Sequence, residues 1–158
     1  MAKSIQDWLD TPCGEIGVSK WFDVDQARVD AFADVTEHTH WLHTDPERAV
    51  SEGGYTGTLA HGFLIVSLIN KAIDSADLRP SNSPYALNYG VDNLRFLKPM
   101  PIGDGFRIRD RISLIAVEMR DAGLFTRTKH AFEIEGDDNP AVVADYLSVW
   151  VPENKSKT

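Results

Sequence analysis

Thr58-Leu59-Ala60-His61-Gly62-Phe63-Leu64-Ile65-Val66-Ser67-Leu68-Ile69-Asn70-Lys71-Ala72-Ile73 is the stretch whose reading decides the fold. Its apolar residues fall on almost every side of a helical projection. A helix that is apolar nearly all round is buried on most sides. In a chain of 158 residues, that burial calls for a sheet curved around the helix. The pattern predicts one helix from Thr58 to about Ala76, with polar residues gathering at its C-terminal end (Asn70, Lys71, Asp74).

The remainder of the chain supplies such a sheet. Downstream, Tyr85–Phe96, Phe106–Glu118, Leu124–Glu135 and Ala141–Val151 have strand character. Their separators, residues 99–105, 121–123 and 136–140, are rich in Gly, Pro, Asp and Asn, which is turn chemistry. Short connections between successive strands imply antiparallel pairing. Upstream, Ile16–Phe22 reads as a first strand, and residues 4–9 as a short helix with Trp8 and Leu9 turned inward. Asp25 is an N-cap for a helix through Asp34, with Ala27, Val29, Ala31, Phe32 and Val35 inward. Asp45-Pro46 starts another short helix. The order of elements predicts an α+β layout.

Length and composition bound the function. The chain reads as one domain, residues 1–158, with a short N-terminal extension and a frayed tail at Lys155–Thr158. A formal charge of -8 and a pI near 5.0 lack the basic footprint of a nucleic-acid binder. The single cysteine, Cys13, allows no internal disulfide and fits a reducing compartment. No signal-peptide pattern and no apolar run of membrane-spanning length is visible, so a soluble, cytoplasmic protein without a membrane partner is expected.

Three motifs carry a family resemblance. They are Phe32-Ala33-Asp34-Val35-Thr36 followed by His43-Thr44-Asp45-Pro46-Glu47-Arg48-Ala49; Gly57-Thr58-Leu59-Ala60-His61-Gly62-Phe63-Leu64; and the run from Leu94 to Asp104. In order and spacing the chain resembles the MaoC-like dehydratases, the group that contains the (R)-specific enoyl-CoA hydratases, over roughly Val24 to Val151. The resemblance implies a hot-dog fold, a long central helix wrapped by a curved antiparallel sheet. It also implies a hydratase/dehydratase (a lyase) adding or removing water at an enoyl or 3-hydroxyacyl thioester in fatty acid metabolism. The substrate would be an acyl-CoA or acyl-carrier thioester, with coenzyme A as part of the substrate and no separate cofactor. A homodimer or higher homo-oligomer is implied, with the pocket near a subunit interface.

The family's hydratases use a dyad of an aspartate and a histidine five residues later. The histidine position falls on His43 and the aspartate position on His38. The resemblance makes the N–H of Gly62 the oxyanion donor, and His40, Trp41, His61 and Asn70 substrate-binding candidates. The chemistry fits these residue types. An imidazole titrates near neutral pH and exchanges protons with water. N–H groups at a helix start favour a developing oxyanion. A neutral imidazole at His38 offers one donor and one acceptor where a carboxylate only accepts.

Plainer readings stand beside these. His40 and His61 equally serve as structural hydrogen-bonding residues, Trp41 as core, and His130 as an exposed strand residue. His38, His40 and His43 also form H-x-H-x-x-H, similar to the metallo-β-lactamase pattern with Leu42 where an aspartate belongs; with no further ligand set following, no metal is assigned. Arg107, Arg109 and Arg111 share one strand face, and ion pairs with carboxylates are favoured there over coenzyme A phosphates. A hot-dog thioesterase remains an alternative, with Ser67, Asn70 or Asp74 on the central helix as its nucleophile or base. So does a non-catalytic acyl-thioester-binding homologue.

Overall fold

The computed structural model describes residues 3–103, 105–137 and 139–153. The tail expected to fray at Lys155–Thr158, and Asp104 and Asp138 in two expected turns, lie outside the described residues. Four long strands form where alternation and turn chemistry place them: β3 (Tyr85–Phe96), β4 (Arg107–Arg120), β5 (Gly123–Ile134) and β6 (Pro140–Val151). With β1 (Gly14–Val18) and β2 (Phe22–Asp23) they make a six-stranded sheet in the order β1-β4-β5-β6-β3, with β2 also on β4. Every pairing between these strands is antiparallel.

The first strand is not continuous. Between β1 and β2 the Ser19 backbone N–H donates to the Asp110 carbonyl at 2.8 Å, and the Ser19 hydroxyl accepts from the Asp110 N–H at 2.8 Å. A side chain thus takes over a ladder position, and the strand bends there.

Two of the helices begin at Asp25 and Asp45 as expected, and the first carries a cap beyond those expected. α1 (Ile5–Leu9) carries a reciprocal Ser4–Asp7 capping box and buries Trp8. Asp25 caps α2 (Gln26–Thr36), accepting from the Arg28 N–H at 2.9 Å. α3 (Trp41–Thr44) is short, and Asp45-Pro46 opens α4 (Pro46–Ser51). The inward face of α2 is Val29, Phe32 and Ala33, at i, i+3 and i+4 spacing. Ala27, Ala31 and Val35 face solvent, contrary to expectation, and Val35 is 84% exposed. At 100° per residue, Val35 sits about 240° round from Val29.

The central helix is shorter than its apolar pattern and is interrupted. It runs as α5 (Gly62–Ser67) and α6 (Ile69–Ser75). Residues 58–60 are extended because their backbone is committed elsewhere. The Leu59 N–H donates to Leu42 (2.9 Å), the Ala60 N–H to Met100 (2.9 Å), and Thr58 accepts from Ile102 (2.6 Å). At the break, the Ser67 hydroxyl donates back to the Leu64 carbonyl at 2.6 Å and the Leu68 N–H to Ile65 at 3.0 Å. Such back-bonding bends helices.

Leu64, Ile65, Ile69, Ala72 and Ile73 pack into one core with Ile108, Ile112, Phe132 and Trp150 of the sheet. The result is the α+β hot-dog arrangement, a helix axis lying on the inner face of a curved antiparallel sheet.

Gly57 secures the segment that leads into α5. A Cβ there would sit 2.0 Å from the Ile102 carbonyl oxygen, a backbone atom that cannot swing aside. Gly57→Ala is expected to cost about 1–3 kcal/mol through forced displacement. A lowered urea midpoint with an unchanged m-value checks this, and an unshifted midpoint contradicts it.

Candidate active site at the histidine cluster

α2 ends at Glu37, whose left-handed backbone (φ 56°) turns the chain sharply. His38 follows this turn, tied by its N–H to the Ala33 carbonyl at 3.0 Å. His40 then caps α3: its Nδ1 accepts from the Leu42 N–H at 3.2 Å. That brings His43 round on α3 toward the start of α5, where His61 and Gly62 stand.

The rings of His43 and His61 stack with centroids 3.7 Å apart, and His38 lies edge-on to both at 5.1 Å. His43 Nδ1 lies 2.8 Å from the Leu59 carbonyl oxygen. A carbonyl only accepts, so Nδ1 carries the hydrogen and Nε2 keeps its lone pair. His61 Nε2 likewise donates to the His38 carbonyl at 3.1 Å.

Burial pushes the His43 imidazole below its ordinary value. The Leu59 bond opposes this, and the neighbouring His61, His38 and His40 push it further down. His61 is lowered in the same way, by burial first, against the bond to His38. Both shifts favour the neutral imidazole.

Two grooves meet at His43, Gly62 and Phe63. One, of about 390 Å³, runs between Leu59-Ala60 and the Phe96–Met100 segment. The other, of about 340 Å³, is bounded by Phe32, Thr36, His38 and His61. Gly62 is the first residue of α5, so its N–H has no intrahelical acceptor. It is also pressed by a side chain: an added Cβ would stand 2.5 Å from the Phe96 ring. A larger residue would push Phe96 into the groove floor.

The structure gathers His38, His43, His61 and Gly62, and separates the other candidates from them. His40 and Trp41 line neither groove. His40 is occupied as the helix cap, and Arg48 lies over the Trp41 ring at 4.7 Å. Asn70 sits beyond the break at Leu68, in a separate groove of about 300 Å³ with Asn88 and Tyr146.

His130, expected on the surface, is fully buried in β5, with Nδ1 2.5 Å from Asp110 and Nε2 2.9 Å from the Thr128 hydroxyl. The three arginines are taken up by carboxylates: Arg107 by Glu135, Arg109 by Glu133, and Arg111 by Glu133 and Glu15.

One positioning residue escaped the sequence reading. Gln26 Nε2 donates to the His43 carbonyl at 2.8 Å and to Asp30 at 2.7 Å, while its Oε1 accepts from the Thr58 hydroxyl. One amide thus locks α2, α3 and the segment before α5 together. Nothing in its local sequence distinguishes it from any first-turn helix residue.

A profile described as "MaoC like domain" matches residues 10–127. The chain is 37% identical over 136 residues to Nodulation protein N of Rhizobium leguminosarum bv. viciae, covering 85% of this chain and 83% of that protein. It is 33% identical over 150 residues to 3-hydroxyacyl-thioester dehydratase Z of Mycobacterium tuberculosis (strain CDC 1551 / Oshkosh), covering 94% and 97%. Among solved structures, unliganded R-hydratase PhaJ1 from Pseudomonas aeruginosa superposes with a TM-score of 0.69 at 19% identity, over 88% of this chain and 81% of that one, a likeness of fold.

Proposed function

The chain belongs to the MaoC-like domain family, and we propose that it is a hydro-lyase that adds water to, or removes it from, an acyl thioester at the His43–Gly62 pocket. The observation that carries this reading is the direction of His43. Its Nδ1–H is fixed on Leu59, which leaves Nε2 as an acceptor where the two grooves meet beside the Gly62 N–H.

In the hydration direction, His43 Nε2 takes a proton from water as the oxygen bonds to C3 of a 2-enoyl thioester. The C2–C3 π electrons move toward the thioester, and the resulting enolate oxygen accepts from the Gly62 N–H. A proton returned from His43 to C2 completes the addition. Dehydration is the reverse. His38 stands where the family's hydratases carry an aspartate, and offers one hydrogen bond to the same water. His61 Nε2 holds the His38 carbonyl and so sets that loop.

The reaction so written uses no organic cofactor; coenzyme A or an acyl carrier enters with the substrate. Residues 1–158 act as one domain in this reading. The protein pairs as a homodimer through β3, which the sheet leaves bonded on one side only among the described residues and which carries exposed Tyr85, Leu87 and Tyr89. An open apolar edge of this kind is a template for a second strand. The lone, exposed Cys13, with no partner for an internal disulfide, supports a cytoplasmic setting. Among the described residues no helix is long and apolar enough to cross a membrane.

Incubation with crotonyl-CoA and longer enoyl-CoAs tests the function. Loss of enoyl absorbance without thiol release is expected. Thiol release instead identifies a thioesterase, and a thermal shift without either change identifies a binding homologue.

A further inference from the structure

We infer that His38, His43 and His61 form a three-nitrogen site for a divalent transition-metal ion. One ring nitrogen from each lies within 4.8 Å of the others. This is not the triplet suggested by local spacing: His40 turns away to cap α3, and His61 takes its place from 18 residues beyond His43.

Two independent features point to a ligand. The first is His61 Nδ1, which is buried without a hydrogen-bond partner among the described residues, in a side chain only 3% exposed. Because Nε2–H is bonded to the His38 carbonyl, Nδ1 of a neutral His61 is an acceptor with nothing to accept. Buried polar atoms in this condition are rare, and each calls for a partner. The second is the outer arrangement. His43 and His61 each donate one ring N–H to a backbone carbonyl, of Leu59 and His38 respectively, which leaves the other ring nitrogen bare. Metal-bound histidines do this almost without exception, because it fixes the tautomer and raises the basicity of the other nitrogen.

The donor set selects the metal. Three imidazoles with no thiolate suit zinc, cobalt, nickel or copper(II) over magnesium or calcium. Metal–nitrogen bonds of about 2.0–2.1 Å in a tetrahedron place the nitrogens about 3.4 Å apart. His38 is exposed and its ring makes no hydrogen bond among the described residues, so it is free to close this gap, while the His43 and His61 rings, stacked with centroids 3.7 Å apart, must splay to aim both nitrogens at one ion. The fourth position opens on the groove that contains Phe32 and Thr36. A bound ion takes His43 Nε2, the nitrogen that hydration uses as base. Metal occupancy and hydration therefore exclude each other, a consequence that rests on the proposed reaction; the binding does not.

Cobalt(II) titration of untagged, metal-free protein, followed by visible absorption and calorimetry, tests the site. One equivalent per chain is expected, with an intense tetrahedral ligand-field band that zinc abolishes. His38→Ala, at an exposed position, is expected to lower affinity at least about tenfold, the lower end of the loss seen on perturbing metal sites. His61→Ala is expected to do the same, with circular dichroism confirming its fold. His40→Asn, which keeps a side-chain acceptor for the Leu42 N–H at the start of α3, is expected to bind like the wild type. Absence of the band, or equal affinity in the wild type and His38→Ala, overturns the site. Enoyl-CoA hydration read in parallel is expected to fall as the band grows. A protein that binds cobalt but never hydrates contradicts the reaction and leaves the site standing.

Discussion

His43→Ala is expected to lower kcat/KM for enoyl-thioester hydration by about 10²–10⁴-fold, the range that a positioned general acid–base group contributes. The loss is expected in kcat, because the proposed base would act on the proton in flight and not on the resting thioester. Its ring is only half-buried, and among the described residues its one side-chain bond is to the Leu59 carbonyl. That carbonyl borders the groove, where water replaces the lost donor. The variant should therefore fold with a thermal midpoint close to that of the wild type. His43→Gln is a sharper comparison, since a side-chain amide restores the donor to Leu59 and supplies no base. Gln26→Ala serves as the positioning control: it leaves the imidazole in place and removes the amide that holds its backbone. Hydration by both His43 variants at the wild-type rate would falsify the assignment of the base.

His130→Ala carries the largest expected effect on stability. His130 and Asp110 are both fully buried, and the imidazole bridges Asp110 Oδ2 and the Thr128 hydroxyl. Removing one member of a buried pair costs about 3–5 kcal/mol, because the remaining group is left without compensation. For a protein of this size that amounts to a fall of roughly 10 °C in Tm.

The loss should also depend on pH. Burial pushes the Asp110 carboxyl up, while the His130 hydrogen bond pulls it down. An acid with a raised native pKa holds its proton more tightly in the folded chain. Stability therefore falls as pH rises between its unfolded and native values. Without His130 that window extends to higher pH. The destabilisation is expected to be greater at about pH 7 than at about pH 4. Urea denaturation of both proteins at the two values measures it; an equal loss at both removes Asp110 from the account.

The same pair marks a limit of the sequence reading. The signal for His130 was present in the phase of β5, where His130 alternates with Thr126, Thr128 and Phe132 on the inner face. Asp110 shares the inner face of β4 with Ile108 and Ile112. A polar residue in such a phase is readable as buried only when a partner faces it, and the partner here is on a neighbouring strand. Gln26 is a parallel case, since its three contacts come from α2, α3 and the segment before α5. The interruption at Leu68 had no glycine or proline to announce it; it accompanies the bond of the Ser67 hydroxyl to Leu64.

The family resemblance supplied the hot-dog class and the pairing of His38 with His43; by itself the sequence determined the α+β layout, the four long strands and the helix starts at Asp25 and Asp45. Those features rest on period, capping and turn chemistry, which act over a few residues. Only the tertiary structure decided which histidines meet. His40 left the cluster by capping a helix of four residues. His61 joined it because backbone bonds from Thr58, Leu59 and Ala60 to distant segments hold the start of α5 against α3. Contacts between segments far apart in the chain leave no periodicity behind, so a third imidazole beside His43 becomes visible only once the chain has folded.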